Sequence, residues 1–267
     1  MLNNFLISAY FFMEATMYYC CGKTDIGNTR SNNEDSFLIN KIVMTQAQIE
    51  SNIRSPFIVA VADGVAGEAS GEIASRLALE LLSNIKYSKK TDLNRKIINI
   101  HNFLRRYGIT HNKSINMQTT LCALAVDEFD NATLINIGDS RMYRFRGGSI
   151  EQLSTDQSLV QLLYDQGHIT KEEQSSHAHR NIIFPVLGHL TADPTIEISE
   201  IEGGICYGDL IIICTDGLSD YISKVDFEEI LALPLGMPKR LSMLIDKALA
   251  NGSPDNLTVM GISAFEE

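Results

Sequence analysis

Hydrophobic residues along this chain fall into short runs separated by clusters of Gly, Asn, Asp and Ser. Such runs, bounded by turn residues, are typical of β-strands. They predict strands around 17–22 and at 36–43, 56–62, 119–126, 132–138, 141–147, 149–154, 195–199, 209–215 and 256–262. The segments DEFDN and RGG, which lie between neighbouring runs, carry the residues expected in tight antiparallel turns.

A second pattern, with apolar residues three or four positions apart, predicts helices. The predicted helices are 70–86, 91–107, 157–166, 170–176, 226–233 and 238–250. The helix at 170–176 follows a capping box, Thr170-x-x-Glu173. Because the helices occur in adjacent groups and not after every strand, the pattern disfavours a doubly wound parallel sheet. It favours an α+β fold in which helices cover antiparallel sheets.

The length of the chain is compatible with one large domain or two small ones. The 267 residues are 45% hydrophobic, which is enough for a substantial core. The sequence contains no repeat, no low-complexity tract and no linker-like stretch. We therefore predict one domain over 17–267, preceded by an N-terminal extension of uncertain structure over 1–16.

Charge and cysteine content narrow the class of protein. The net charge is −11, and no cluster of Lys and Arg is dense enough to follow a phosphate backbone, so we expect no nucleic-acid partner. The five cysteines are odd in number and form no Cys-x-x-Cys pair. Three of them, Cys122, Cys206 and Cys214, lie in or beside apolar runs. This pattern predicts reduced core thiols in a cytoplasmic protein.

The apolar N-terminus, MLNNFLISAYFFMEATMYY, needs separate consideration. Glu14 interrupts an apolar run that is already too short to span a bilayer, and no Lys or Arg precedes Lys23. We therefore expect neither a secretory signal nor a stable membrane association. An extra strand, a disordered lead and sequence upstream of a true start at Met13 or Met17 all remain open.

Carboxylates follow or precede the ends of the long apolar runs. The run at 56–62 ends in Asp63-Gly64, and on its own an Asp-Gly pair most often marks a turn. The same arrangement recurs along the chain, however. The other carboxylates at strand ends are Glu34, Asp35, Asp139, Asp216, Asp220 and Asp255.

Neighbouring strand ends lie close together in an antiparallel sheet, so these carboxylates are expected to converge. Carboxylates gathered in a partly dry place repel one another and require either a cation or protons. Oxygen-only ligand sets suit Mg²⁺ or Mn²⁺, and none of the six histidines falls in these motifs. The sequence therefore predicts a divalent-metal site built from carboxylates.

The same residues carry a family resemblance. The chain resembles a PPM-type (type 2C) metal-dependent Ser/Thr protein phosphatase, in particular the compact bacterial form, from about Thr24 to Ile262. The matching segments, in family order, are TDIGNTRSNNEDSF, VADGVAGEASGEIAS, QTTLCALAV, NIGDSRMYRFRGGSIEQLSTDQSLV, NIIFPVLG, DLIIICTDGLSDYIS and SPDNLTVMGI. One Asp-Gly pair would be weak support, whereas seven motifs in order are specific.

The resemblance implies two stacked antiparallel β-sheets flanked by helices, an α-β-β-α sandwich, with two Mn²⁺ or Mg²⁺ ions at one end. It implies that Asp63 bridges both ions and that the Gly64 carbonyl helps to hold one. Asp216 and Asp255 would bind the other ion, with Glu34 and Asp35 acting through water. Bacterial members hold a third, looser ion at positions that match Asp139 and Asp220.

The implied reaction is hydrolysis of phosphoserine and phosphothreonine in proteins, by in-line attack of a water that bridges the two ions. The catalytic residues would be Arg30, Asp63 and Asp216. We expect Arg30 to bind the phosphate, because a guanidinium matches two phosphate oxygens at once. Arg141 is interpreted as structural, paired with an acidic neighbour.

Two positions depart from patterns known in the family. Val65 stands where some eukaryotic members carry a His proposed to protonate the leaving alcohol, so the general acid is unassigned. Gln157 stands where many relatives have His. The segment 157–191 matches the variable flap of the family, and we expect it to contribute to substrate choice.

Two other classes of function compete with the phosphatase. One is a catalytically weak relative that binds phosphoproteins or a regulator, which retention of the three metal-binding aspartates disfavours. The other is a two-metal nuclease or nucleotide phosphohydrolase, which the acidic balance disfavours. For the phosphatase we expect a monomer whose partners are phosphorylated proteins, with a cognate Ser/Thr kinase among them.

Overall fold

A computed structural model describes residues 16–65, 70–111 and 116–265. The N-terminal extension up to residue 15 and residues 66–69, which follow the Asp63-Gly64 pair, lie outside these described residues. Elements are numbered in chain order within the described part of the chain.

Six strands of the described chain form one antiparallel sheet, and six form a second. The first sheet contains β1 (Met17–Asp25), β4 (Gln48–Arg54), β8 (Arg141–Arg146), β9 (Ser149–Gln152), β11 (Leu210–Cys214) and β12 (Leu257–Phe265), in the order β4-β1-β12-β11-β8-β9. The second contains β2 (Asp35–Ile39), β3 (Ile42–Met44), β5 (Phe57–Asp63), β6 (Leu121–Val126), β7 (Ala132–Ile137) and β10 (Glu197–Glu200), in the order β10-β7-β6-β5-β2-β3.

Helices cover the outer face of each sheet. The helices of the described chain are α1 (Gly71–Ser83), α2 (Leu93–Thr110), α3 (Leu159–Asp165), α4 (Lys171–Ser176), α5 (Asp216–Ser219), α6 (Lys224–Ala232) and α7 (Met237–Ala250). Apolar residues of α1 and α2 pack on the second sheet, and those of α5, α6 and α7 pack on the first. Helices α3 and α4 belong to the 157–191 segment.

The inner faces of the two sheets share one core. Phe37, Val59 and Leu124 of the second sheet lie in the same buried cluster as Ile211 and Met260 of the first. Sheets that pack face to face with alternating inward side chains form a sandwich. The predicted α-β-β-α sandwich is therefore confirmed.

The strand register brings the carboxylate-bearing strand ends to one edge of the sandwich. Asp35, at the start of β2, lies directly opposite Asp63, at the end of β5. In the other sheet, Cys214 at the end of β11 lies opposite Arg141 on one side and Val259 on the other. This pairing places the residues that follow β11 next to those that precede β8 and β12.

Three local features differ from the predicted elements. The predicted strand at 36–43 is a hairpin, in which Asn40 turns the chain with a φ of 54° between β2 and β3. Strand β4 was not predicted, because its sequence QIESNIR is mostly polar and exposed; it pairs with β1 at the sheet edge. The four-residue helix α5, which begins at Asp216 itself, was not predicted.

The cysteines fit the prediction with one correction. Cys20, Cys21, Cys122 and Cys214 are buried free thiols, whereas Cys206 is exposed, because it lies in the turn before β11 and not in the strand. Among the residues described, no helix is both long and apolar enough to span a membrane.

Candidate metal centre

Two threonines fix the backbone that presents Asp63. The Asp63 N–H donates to Thr120 Oγ1 at 3.0 Å, and its carbonyl accepts from Thr119 Oγ1 and from the Thr120 N–H, both at 2.9 Å. Thr119 and Thr120 lie on the segment that enters β6, and both are buried. A strand end tied in this way has little freedom, so the position of the Asp63 carboxyl group is set by the sheet.

Asp35 is the most deeply buried of the acidic residues at this edge, with 1% exposure. Its Oδ2 accepts hydrogen bonds from Thr215 Oγ1 at 2.9 Å and from Thr258 Oγ1 at 2.7 Å. Its Oδ1 is also buried but has no hydrogen-bond partner in the described chain. A buried carboxylate oxygen without a donor is costly, and it fits a site that receives a cation or a cation-bound water.

The contact between Gly64 and α1 admits no side chain. A Cβ at Gly64 would lie 2.4 Å from backbone atoms of Gly71, the first residue of α1. The Gly64 N–H donates to the Glu34 carbonyl at 3.1 Å. Gly64 and Gly71 therefore allow three backbone segments to meet beside Asp63.

Four aspartates interact electrostatically at this edge. Burial raises the pKa of Asp35 to about 7, and burial together with the Asp220 charge raises that of Asp216 to about 6. Burial likewise raises the pKa of Asp63, with Asp35 and Asp216 adding to it. The pKa of Asp139 is raised by burial and by Asp216. These carboxyl groups thus repel one another in a poorly hydrated place, as the sequence predicted.

The raised pKa values predict that the stability of the EDTA-treated protein falls as pH rises. The folded state holds a proton on Asp216 up to about pH 6 and on Asp35 up to about pH 7, whereas the unfolded chain releases both near pH 4. Between these limits each such proton makes the folding free energy less favourable by on the order of 1 kcal/mol for every unit that the pH rises. The melting temperature in EDTA should therefore decrease from pH 5 to pH 8. Stabilisation by added Mn²⁺ should increase over the same range, because protons compete with the ion. A melting temperature in EDTA that rises over this range would contradict the mutual repulsion of these buried carboxyl groups.

Asp255 is placed differently from the other aspartates. Its Oδ2 lies 2.7 Å from Arg30 Nη2, and the two side chains are 31% and 34% exposed. The loop that carries Arg30 is clamped by Asn256, whose Nδ2 donates to the carbonyls of Ile26 and Asn32 and whose Oδ1 accepts from the Glu34 N–H. The predicted phosphate-binding arginine therefore contacts a predicted metal ligand directly.

Asp220, predicted to bind a third ion, is paired with Arg141. Arg141 Nη2 lies 2.9 Å from Asp220 Oδ1 and 2.6 Å from Asp156 Oδ2. The expectation that Arg141 is paired with an acidic neighbour is thus confirmed. Asp139 lies near enough for the charges of Asp156 and Asp220 to raise its pKa further.

The predicted ligands share an edge but do not form a closed cage. Among the described residues, no three His, Cys, Asp or Glu side chains already stand together at metal-ligand distances. Asp255 is turned to Arg30 and Asp220 to Arg141, while Asp35, Asp63, Asp139 and Asp216 interact through charge. The donor set is oxygen only, Asp35 Oδ1 lacks a donor, and the pKa values are raised by mutual repulsion. On these three grounds the residues fit hard divalent cations, with water completing the coordination.

Sequence reasoning missed the residues that position these carboxylates. They are Thr119, Thr120, Thr215, Thr258 and Asn256. The sequence carried a usable signal only for Thr258, because it is a polar residue inside the apolar run that forms β12. In the structure Thr258 is fully buried. The other positioning contacts join residues far apart in the chain, and no local pattern indicates them.

Comparison with known proteins agrees with this geometry. A family model described as protein phosphatase 2C matches residues 30–243. The serine/threonine protein phosphatase PstP of Mycobacterium tuberculosis is 33% identical over 89% of this chain. The match covers only 43% of the length of PstP. The serine/threonine phosphatase stp of Listeria welshimeri is 30% identical over 89% of this chain and 92% of its own.

Solved structures give the same result. A crystal structure of PstP at 1.95 Å superposes with a TM-score of 0.77 and 31% identity over 94% of this chain and all of that one. The catalytic domain of PstP in complex with two manganese ions superposes with a TM-score of 0.75 and 29% identity, with the same coverage. These relatives are phosphatases, and they lend no support to the alternative of a non-catalytic binding module.

Proposed function

The chain belongs to the protein phosphatase 2C family of serine/threonine protein phosphatases, and from this premise we propose that it hydrolyses phosphoserine and phosphothreonine in proteins with the help of two Mn²⁺ or Mg²⁺ ions. The observation that carries the proposal is the gathering of Asp35, Asp63, Asp139 and Asp216 at one edge of the sandwich, with one buried oxygen left without a donor. The PstP structure with two manganese ions supports the choice of metal.

Each residue has a distinct part in this proposal. Asp63, Asp216, Asp255 and the Gly64 carbonyl would hold the ions directly, and Glu34 and Asp35 would hold them through water. When bound, such ions acidify water near neutral pH and neutralise phosphate charge. Thr215 and Thr258 orient the Asp35 carboxyl group by donating to its Oδ2, and this leaves its Oδ1 available to a metal-bound water.

Arg30 is proposed to bind the phosphate of the substrate. A guanidinium has five N–H donors, so Arg30 can contact two phosphate oxygens while retaining a bond to a carboxylate. Its ion pair with Asp255 and its partial exposure are consistent with this role. Val65 offers no proton donor beside Asp63-Gly64, so the proton for the leaving alcohol comes from another source.

The central experiment measures phosphate release from a phosphothreonine peptide with Mn²⁺, with Mg²⁺ and with EDTA. We expect turnover with either ion and none with EDTA. Asp216→Ala should abolish turnover, whereas Asp246→Ala, which removes an exposed carboxylate on α7, should not. A folded protein that releases no phosphate with either ion would contradict the proposal.

Several finer properties are part of the same proposal. The substrates would be phosphorylated proteins, a cognate Ser/Thr kinase among them, and the enzyme would act as a cytoplasmic monomer. A third ion would use Asp139 and Asp220 once Asp220 leaves Arg141. The flap at 157–191 would contribute to substrate choice; exchanging it for the flap of a relative without any change in substrate preference would contradict that role.

A further inference from the structure

The two ring nitrogens of a buried histidine on α2 have different surroundings. His101 is fully buried, and its Nδ1 accepts the Gly188 N–H at 3.1 Å. Because Nδ1 is the acceptor, the neutral ring carries its proton on Nε2. That nitrogen is buried without a hydrogen-bond partner in the described chain and lies 3.5 Å from Asp193 Oδ1. Burial and the nearby Arg105 lower the pKa of His101, which keeps the ring neutral.

The residue that His101 binds is joined to the metal centre by backbone pairing. Leu187, adjacent to Gly188, exchanges two hydrogen bonds with Thr119, N–H to carbonyl in both directions at 3.1 Å. Thr119 Oγ1 in turn donates to the Asp63 carbonyl at 2.9 Å. The segment 186–188 is therefore an added strand-like edge beside the residues that hold Asp63.

The packing at Gly188 leaves this segment little freedom to compensate. Gly188 has a φ of +87°, and a Cβ there would lie 2.2 Å from the Met117 carbonyl oxygen. The chain is thus pressed against the 117–119 segment, with its amide directed at α2. Loss of the imidazole acceptor would leave that buried amide unpaired at the point where the flap returns to the sandwich.

We propose that His101 is a positioning residue for Asp63, acting through Gly188, Leu187 and Thr119. This inference rests on the proposed function, since it gives Asp63 the role of metal ligand. His101 does not contact substrate or ion. Its neutral Nδ1 holds the 186–188 segment against Thr119, and Thr119 holds the backbone of Asp63. The same contact anchors the end of the flap.

The test compares His101→Asn with His101→Leu. Asn places an amide oxygen near the position of Nδ1 and can accept the Gly188 N–H, whereas Leu fills space without an acceptor. Asn99→Leu, at an exposed position of the same helix α2, is the matched control. For each protein the measurements are hydrogen exchange of segments 117–121 and 186–190, Mn²⁺ binding by calorimetry without substrate, and kcat and KM at saturating Mn²⁺.

We expect His101→Leu to accelerate exchange in both segments and to weaken Mn²⁺ binding up to about tenfold, the lower end of the effect of losing a group hydrogen-bonded directly to a metal ligand, because His101 acts through three residues. His101→Asn should remain within about threefold of the wild type, and KM at saturating Mn²⁺ should change little in either. A merely structural histidine predicts equal Mn²⁺ affinity in the Asn and Leu variants, and that result would overturn the proposal.

A second pair of variants keeps the test decisive if His101→Leu does not fold. Thr119→Val removes the hydroxyl that binds the Asp63 carbonyl, and Thr119→Ser keeps it. Weaker Mn²⁺ binding in Thr119→Val than in Thr119→Ser supports the proposal that Asp63 is positioned through Thr119, and equal binding overturns it. A wild-type protein that neither binds Mn²⁺ nor releases phosphate would instead refute the proposed function itself.

Discussion

Replacing Asp63 with Asn is expected to reduce phosphatase turnover on the order of a thousandfold. Asn has the same shape but lacks the charge that holds a divalent ion, and loss of metal catalysis removes several kcal/mol of transition-state stabilisation, with each 1.4 kcal/mol or so worth a factor of ten. The backbone bonds from Thr119 and Thr120 to residue 63 do not involve the side chain, so the fold should persist. Phosphate release from a phosphothreonine peptide at saturating Mn²⁺ is the measurement.

The same substitution should stabilise the protein in EDTA. Asp63 is raised in pKa by burial and then by Asp35 and Asp216, so its charge destabilises the fold when no cation is present. Removing that charge should raise the melting temperature at pH 8 by a few degrees, the shift that about 1 kcal/mol produces in a chain of this size. A site carboxylate thus costs stability that the bound ion restores.

Asp127→Asn is the matched control, because that carboxylate has the opposite role. Asp127 accepts from the Phe129 and Asn131 N–H groups and from the Asn131 side chain, and these hydrogen bonds lower its pKa. Its substitution should lower the melting temperature and leave turnover unchanged. If Asp63→Asn destabilised the EDTA-treated protein as Asp127→Asn does, the claim that Asp63 is repelled by Asp35 and Asp216 would be refuted.

The strand ends were predictable because they obey a local rule. An apolar run such as FIVAVA forms a buried strand, and the carboxylate after it lies at the sheet edge wherever the strand sits. The antiparallel pairing of β2 with β5 then brings Asp35 opposite Asp63 with no further information. This is why a short list of apolar runs located most of the candidate ligands.

Features that depend on tertiary pairing were not predictable from the sequence. Strand β4 is polar and exposed, and it is a strand because β1 supplies its hydrogen bonds. The contacts of Arg30 with Asp255 and of Arg141 with Asp220 join residues far apart in the chain, so the local motifs predict the chemistry of the two arginines but do not identify these partners. His101 lies on the buried face of an amphipathic helix, where nothing in the local pattern distinguishes it from a core residue.

Replacing Arg30 with Ala is expected to lower kcat/KM about a hundredfold, mostly through KM. A charged, bidentate contact to phosphate contributes about 1.5–3 kcal/mol, which corresponds to roughly 10- to 150-fold in binding. Arg30→Lys keeps the charge but not the fork and should recover only part of the loss. Steady-state kinetics with a phosphothreonine peptide at saturating Mn²⁺ measure the effect, and inhibition by inorganic phosphate should weaken in parallel.

The ion pair between Arg30 and Asp255 adds a second expectation, opposite in direction. Since Arg30 Nη2 lies 2.7 Å from Asp255 Oδ2, the guanidinium competes with a cation for that oxygen. Arg30→Ala should therefore bind Mn²⁺ at least as tightly as the wild type while binding phosphate more weakly. If Arg30 served only to orient Asp255 as a ligand, the variant would lose Mn²⁺ affinity and keep its KM at saturating metal. The two roles thus give opposite patterns in the same pair of measurements, and a loss of Mn²⁺ affinity with an unchanged KM would refute phosphate binding by Arg30.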